Sequence, residues 1–382
     1  MTRPVAPRAR VRTWLASPLP REVRGPLDRL SRTPGVERVA VMPDVHWAEG
    51  VCVGVVVGAR DRLFPEAVGG DIGCGMAAEA YDADAGGLRE PGVTRAMLER
   101  LAVAVPSLRH GANGRDRPLP AALEDRALSD PRLKALAHGD GRGQFATLGR
   151  GNHFLELQSD DDGRLWAMVH SGSRAMGPRI HAHHLERARR DRVGLPGLRA
   201  DSDEGRAYLA DVAWAVEYAE RSRDAMLDAL AGVLAETLGT APVPGSRFGC
   251  LHNHVRLERH GDDDLLVHRK GAVSAGAGER GVVPGSMGTA SYHTEGRGNE
   301  DALTSCAHGA GRALSRGGAR RSISVRDLDR QMGDVAYDAR RARDLVEEAP
   351  DAYKDIHAVM RAQADLVRIV RRVRPVLVHK GV

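Results

Sequence analysis

The stretch Gly70-Asp71-Ile72-Gly73-Cys74-Gly75 constrains this chain more than any other. It puts a hard oxygen donor and a soft sulfur donor three residues apart, among glycines. Glycine opens backbone angles closed to other residues and lets a ligand approach closely. A fold that uses this stretch brings the Asp71 carboxylate and the Cys74 thiol together on one tight turn. A carboxylate, a thiolate and imidazoles from elsewhere in the chain suit a divalent transition metal. The imidazoles are at hand. Asn152-His153, His170-Ser171-Gly172-Ser173-Arg174, His252-Asn253 and His308-Gly309-Ala310-Gly311-Arg312 each set a histidine among small or polar residues.

The rest of the chain sets the frame. Its 382 residues, 42% of them hydrophobic, can bury a sizeable core. Only 4% are aromatic, whereas 44 are glycine, which suits an α/β (α+β) protein with functional loops and argues against a series of base-stacking platforms. The net charge of +5 is compatible with a polyanionic partner without establishing one. Basic runs at 187–190, 316–321 and 368–374 become candidate phosphate contacts if the substrate is a nucleic acid. Cys52, Cys74, Cys250 and Cys306 show no CxxC spacing, so a reducing compartment with Cys74 as a metal thiolate is expected. No run approaches the roughly 18 apolar residues of a membrane span. A soluble, cytoplasmic protein without a membrane partner is expected.

Periodicity predicts a short helix around 20–30 and buried strands over 36–42 and 51–59, with 44–50 as the turn between them. It predicts a strand over 76–81, a helix over 93–105, and strands over 154–158, 165–169 and 265–269. Residues 178–192 read as a basic surface helix carrying His181, His183 and His184. Residues 203–238 read as a long helix with a bend or break, and 362–372 as a terminal helix stopped by Pro375. Segment 106–144, rich in Pro, Gly, Asp and Arg, reads as a loop-rich insertion. No linker divides the chain, and the histidine motifs run from end to end. One domain over 1–382 is therefore expected.

Taken in order, the motifs resemble the RtcB family of RNA-splicing ligases. The likeness begins at Met42-Pro43-Asp44-Val45-His46, passes through the Asp71/Cys74 turn, and continues at Gly149-Arg150-Gly151-Asn152-His153-Phe154-Leu155-Glu156. It goes on through His268-Arg269-Lys270-Gly271-Ala272, Pro284-Gly285-Ser286-Met287-Gly288 and the His308 motif. It closes with Ala349-Pro350-Asp351-Ala352-Tyr353-Lys354 and Lys380-Gly381. Nearly the whole chain is covered.

The resemblance implies a single compact domain with mixed sheets and flanking helices. It implies two Mn(II) ions on Asp71, Cys74, His153, His170 and His252, with the Cys74 thiolate bridging. A thiolate also attracts Zn(II) or Co(II), and the sequence does not choose among them. It makes His308 the residue that becomes linked to GMP. It places Asn152, Glu156, Asn253, Lys270, Ser286, Ala310, Gly311, Arg312, Tyr353 and Lys380 around GTP, with Glu156 selecting guanine and Arg312 offering phosphate a charge-assisted fork. Asp44 and His46 lie in a matched motif without an assigned role.

The implied reaction joins RNA 3′-phosphate or 2′,3′-cyclic phosphate ends to 5′-hydroxyl ends through histidine–GMP and RNA-3′-GMP intermediates. Broken tRNA or rRNA is the implied polymer partner, and an archease-like activator a candidate protein partner. The alternatives are a relative that repairs one damaged RNA or caps DNA 3′-phosphate ends, a metal-dependent phosphodiesterase, and a catalytically silent RNA-binding protein.

Overall fold

Strands Val36–His46 and Val53–Ala59 pair antiparallel, as their β-branched runs predict. They form the middle of a five-stranded sheet. Arg10–Thr13 runs parallel to the first of them, and the hairpin Asn253–His260/Asp263–Lys270 flanks the second. The first strand continues through Asp44 to His46, so the motif expected to turn is the strand's own end. The structure is a computed structural model that describes residues 8–108, 118–189 and 194–381. His110, Arg190 and Val382 lie outside the described residues.

An eight-stranded sheet carries the other half. Its main path runs Arg280–Val283, Ser291–Gly296, Val367–Lys380, Phe154–Asp160, Arg164–Ser171, Gly75–Asp84 and Phe248–Leu251, all antiparallel. Among the described residues no helix is long and apolar enough to cross a membrane. Helices and sheets close around shared apolar clusters as one compact α/β domain.

Four further expectations are corrected. The terminal helix over 362–372 is not formed. A short helix, Ile356–Ala362, precedes the 14-residue strand Val367–Lys380. Val367, Ile369, Val370, Val373, Val376 and Val378 are stiff β-branched residues that suit a pleated surface. Partners on both sides of the strand, invisible to a local reading, supply its ladder. Pro375 marks an irregularity in register and terminates nothing.

Segment 106–144 is helical over much of its described length, with Ala121–Glu124, Pro131–Leu136 and Arg142–Gln144. Its Leu119, Leu123, Leu133 and Ala137 enter the main apolar cluster. The basic helix is Met176–Leu185, and it is not wholly a surface helix. His184 is buried, with Nε2 2.7 Å from Asp211 Oδ2.

Residues 203–238 form one unbroken helix of 36 residues, about 54 Å long at 1.5 Å per residue. Ser202 caps its start by accepting from the Gly205 N–H, and Gly239 ends it at φ 64°. No proline interrupts it. Asp211 on this helix also accepts from the Ser129 N–H and hydroxyl, which ties segment 106–144 to the core. Asp211→Ala is therefore expected to cost about 2 kcal/mol, because it strands the buried His184 donor and removes the acceptor that Ser129 uses. Thermal melting checks the loss, and limited proteolysis should locate new cleavage between 118 and 144.

Candidate metal centre and nucleotide cleft

The eight-stranded sheet gathers the metal-type residues at its strand ends. Cys74 immediately precedes Gly75–Asp84, His153 precedes Phe154–Asp160, His170 lies at the end of Arg164–Ser171, and His252 follows Phe248–Leu251. Glycines make the Asp71–Cys74 turn possible. Gly73 is at φ +74°, and a Cβ there would lie 2.9 Å from the Val216 backbone of the long helix. A Cβ at Gly172 would lie 2.1 Å from the Asp71 carboxylate. The turn is thus wedged between helix and sheet. The buried Arg223 guanidinium braces it by donating to the Gly73 and Ser171 carbonyls at 2.9 and 2.7 Å.

The donor atoms converge. Cys74 Sγ is 3.2 Å from His170 Nε2 and 3.6 Å from His153 Nε2. His153 Nε2 is 3.0 Å from Asp71 Oδ2, and His170 Nε2 is 3.4 Å from His252 Nε2. The ligand atoms of Cys74, His153 and His170 all lie within 4.8 Å of one another. His170 Nδ1 faces the Asn152 carbonyl at 3.1 Å, so it carries the proton and Nε2 turns its lone pair inward.

Burial holds the His170 and His252 imidazoles neutral, well below their usual range, and pushes the Cys74 thiol well up with Asp71 beside it. Burial would also raise Asp71, yet His153 and its neighbours hold that carboxyl down to about 2. Neutral nitrogens around a sulfur and a carboxylate are a donor set short of positive charge, and a divalent cation reverses that balance. The residues present fit a metal.

A cleft opens beside this cluster. It encloses about 170 Å³ and is open to solvent on one side. One wall is a transverse row of the sheet, in which Met76 pairs with His170, His170 with Phe154 and Phe154 with Lys380. All four line the cleft. Glu156 pairs with Val378, two residues from Lys380 on the neighbouring strand, so Glu156 and Lys380 are diagonal neighbours on the same face. Gln158 donates to Glu156 Oε2 at 2.9 Å. Burial pushes the Glu156 carboxyl up to about 8, against the pull of Gln158 and Lys380.

The opposite wall is the Gly285–Met287 and His308–Arg312 segments. Strand Ser305–Ala307 pairs with Ala272–Ser274 and delivers His308 to the metal-type cluster, its ring centroid 4.9 Å from that of His252. The buried Asp44 places Oδ2 2.6 Å from His308 Nδ1 and 3.1 Å from its backbone N. A carboxylate can only accept. In the neutral imidazole Nδ1 therefore carries the proton, and Nε2 keeps a free lone pair. Lys354 steadies this strand end through the Pro43 and Val45 carbonyls at 3.2 and 2.6 Å.

Of the residues expected around a nucleotide, Asn152, Glu156, Ser286, Ala310, Gly311, Arg312, Tyr353 and Lys380 line the cleft. Two do not. Asn253 has both side-chain ends engaged, donating to the Asp71 carbonyl at 3.0 Å and accepting from the Gly271 N–H at 2.8 Å. It braces the Asp71 turn. Lys270 extends toward the Glu49 carbonyl, 3.3 Å away, with its stem against Gly69. Arg312 does line the cleft, but most of its fork is turned inward. Nε donates to the Leu314 carbonyl, Nη1 to Glu348 and Tyr353, and Nη2 to the Glu347 carbonyl. One N–H of Nη2 remains.

Of the basic runs, Arg316 reaches the cleft, whereas Arg368, Arg371, Arg372 and Arg374 pair with Glu295, Asp160 and Asp161. The sequence reading gave no role to Asp44, Gln158, Arg223 or Glu348. Asp44 lies in a quoted motif and Glu348 directly precedes another, which was the available signal.

Fold and site together define a single-domain protein with a metal-type donor cluster beside an open cleft lined by polar and charged side chains. The family model described as tRNA-splicing ligase RtcB matches residues 27–381. The RNA-splicing ligase RtcB of Escherichia coli K12 is 35% identical, over 98% of each chain. That of Mycobacterium tuberculosis is 32% identical over 91% of this chain and 98% of its own. The tRNA-splicing ligase RtcB of Archaeoglobus fulgidus is 30% identical over 91% and 89%. The chain belongs to the RtcB family.

Proposed function

We propose that this protein is a GTP-dependent RNA ligase that joins RNA 3′-phosphate or 2′,3′-cyclic phosphate ends to 5′-hydroxyl ends in the cytoplasm. The observation that carries the reading is His308, held by Asp44 in the tautomer with Nε2 free, between the metal-type cluster and the cleft. Nε2 attacks the α-phosphorus of GTP. A P–N bond forms, the P–O bond to the β-phosphate breaks, and pyrophosphate leaves.

An RNA 3′-phosphate oxygen then attacks the same phosphorus and displaces the imidazole, giving RNA-3′-GMP. A cyclic end is first opened by water. Finally the RNA 5′-hydroxyl attacks the terminal RNA phosphorus and expels GMP, which leaves a phosphodiester. Mn(II) held by Asp71, Cys74, His153, His170 and His252 would supply positive charge against the reacting phosphates. Asp44 stabilises the imidazole through each attack.

The base corner supports guanine. Glu156 offers acceptor oxygens to N1–H and N2–H₂, and Lys380 on the same sheet face offers donors to O6. Adenine inverts both edges, so ATP is expected to be rejected by a large factor. Incubation with α-labelled GTP and Mn(II) tests the reading. An acid-labile protein label and joining of 3′-phosphate to 5′-hydroxyl RNA are expected, and no label with either GTP or ATP would refute it.

The Glu156 carboxyl adds a pH dependence. It accepts both guanine N–H groups only when ionised, and burial holds it protonated up to about 8 in the empty cleft. GTP binding therefore has to release a proton, and affinity is expected to fall up to about tenfold per pH unit below 8. Glu156→Gln should flatten that slope and erase the preference for GTP over ATP in equilibrium binding. The same group lowers the stability of the empty protein as pH rises. Its folded value lies above the unfolded one, so its contribution is full below about 4.5 and is lost as pH climbs through about 8.

A further inference from the structure

One buried carboxylate ties together three residues of the cleft wall. Glu348 is 1% exposed and lies in the short turn Val346–Glu348. Its Oε2 accepts from the Lys380 ammonium at 2.7 Å and from the Tyr353 hydroxyl at 2.6 Å, and its Oε1 from Arg312 Nη1 at 3.2 Å. Arg312 also donates to the Tyr353 hydroxyl at 3.3 Å and lies over its ring at 5.1 Å. The network is closed, since each of the four side chains contacts at least one other as well as the cleft. Burial would raise the Glu348 carboxyl, but Lys380, Tyr353 and Arg312 hold it below its usual range.

The donors are not equally committed. Arg312 has one N–H left, and the Tyr353 hydroxyl both donates and accepts. Lys380 gives Glu348 one of its three N–H groups. Its ammonium lies 5.6 Å from the Phe154 ring centroid, and Glu348 is the carboxylate it hydrogen-bonds. Without Glu348, the buried Lys380 charge would lose its hydrogen-bonded partner, and its long stem would lose the contact that aims it.

We propose that Glu348 is a positioning residue for nucleotide recognition: it holds Lys380 against the wall so that the remaining ammonium donors face the purine, with Tyr353 and Arg312 as the braces of that setting. This rests on the guanine-nucleotide reading above. Glu348 touches neither His308 nor the metal-type cluster, so it acts on the grip of the base and leaves the attack itself alone.

The test is the rate of GMP–protein formation against GTP concentration for the full chain with Mn(II). Wild type, Glu348→Gln, Lys380→Met and the double variant are compared, with melting curves of each. Glu348→Gln is expected to raise KM for GTP about tenfold or more, with kcat changed less than about threefold. In the Lys380→Met background it should raise KM no further, because the two act as one unit. Glu348→Asp keeps the charge but retracts it by one methylene, and should fall between wild type and Glu348→Gln. It also serves if the Gln variant does not fold.

A lowered melting temperature with unchanged KM would overturn the proposal and leave Glu348 a structural ion-pair partner. Additive KM effects in the double variant would overturn it as well. A wild type that forms no adduct and binds no GTP would instead refute the guanylylation reading, and Glu348 would have no base to serve.

Discussion

His308→Ala is expected to form no GMP adduct while folding and binding Mn(II) as the wild type does. The reason is local. His308 offers the cleft a ring nitrogen with a free lone pair, because Asp44 engages the other nitrogen at 2.6 Å. Alanine removes the proposed nucleophile and leaves Asp71, Cys74, His153, His170 and His252 in place, at the loss of one ring contact to His252. RNA that already carries a 3′-GMP end should still be sealed, since that last step needs no free imidazole. A wild-type-like adduct in the variant would assign the nucleophile to another residue. Failure to seal the activated end, with metal content intact, would give His308 a role in the final step too.

Asp44→Asn extends the same argument. The amide can donate to Nδ1 and so favours the tautomer with the proton on Nε2, where attack must occur. Adduct formation is expected to fall by about 10²–10⁴ with little change in the GTP concentration dependence, by analogy with other imidazoles set in the wrong tautomer. Single-turnover labelling measures it. Undiminished labelling would show that Asp44 only packs the strand end.

The second large effect is expected from Cys74→Ala. The thiol lies 3.2 Å from His170 Nε2 and 3.6 Å from His153 Nε2, between the imidazole that neighbours Asp71 and the one that neighbours His252. A donor at that central place can serve two ions at once. Cys74→Ala is expected to lose both and with them all adduct formation, whereas loss of a peripheral donor such as His252→Ala should leave one ion bound. Metal analysis of dialysed protein decides. Full occupancy in Cys74→Ala would rule out the bridging role.

Much of the site was legible in the sequence because its chemistry is carried by rare combinations of residue types. An Asp and a Cys on one glycine-rich turn, with histidines among small residues, announce a donor set wherever the chain places them. The lining of the cleft by Asn152, Glu156, Ser286, Arg312, Tyr353 and Lys380 followed from the motifs in the same way. The strands at 36–42 and 51–59 were legible too, since runs of valine have few other uses.

Residue type did not reveal direction. Arg312 and Asn253 carry the right groups for a ligand, yet their hydrogen bonds turn largely into the protein. Residues 362–372 have a pattern that serves helix or strand, and segment 106–144 has a composition that serves loop or short helix.

By itself, then, the sequence determined the family and the metal-type donor set, because these depend on functional groups and their order. The tertiary structure decided which groups are free to act. Strand Val367–Lys380 became a strand only because Ser291–Gly296 and Phe154–Asp160 stand on either side of it. That pairing carries Lys380 beside Phe154 and near Glu156. Asp44 acquired its role only when strand Ser305–Ala307 brought His308 across from 264 residues away. Hydrogen bonds depend on distance and angle between partners far apart in the chain, and only the packed fold sets those.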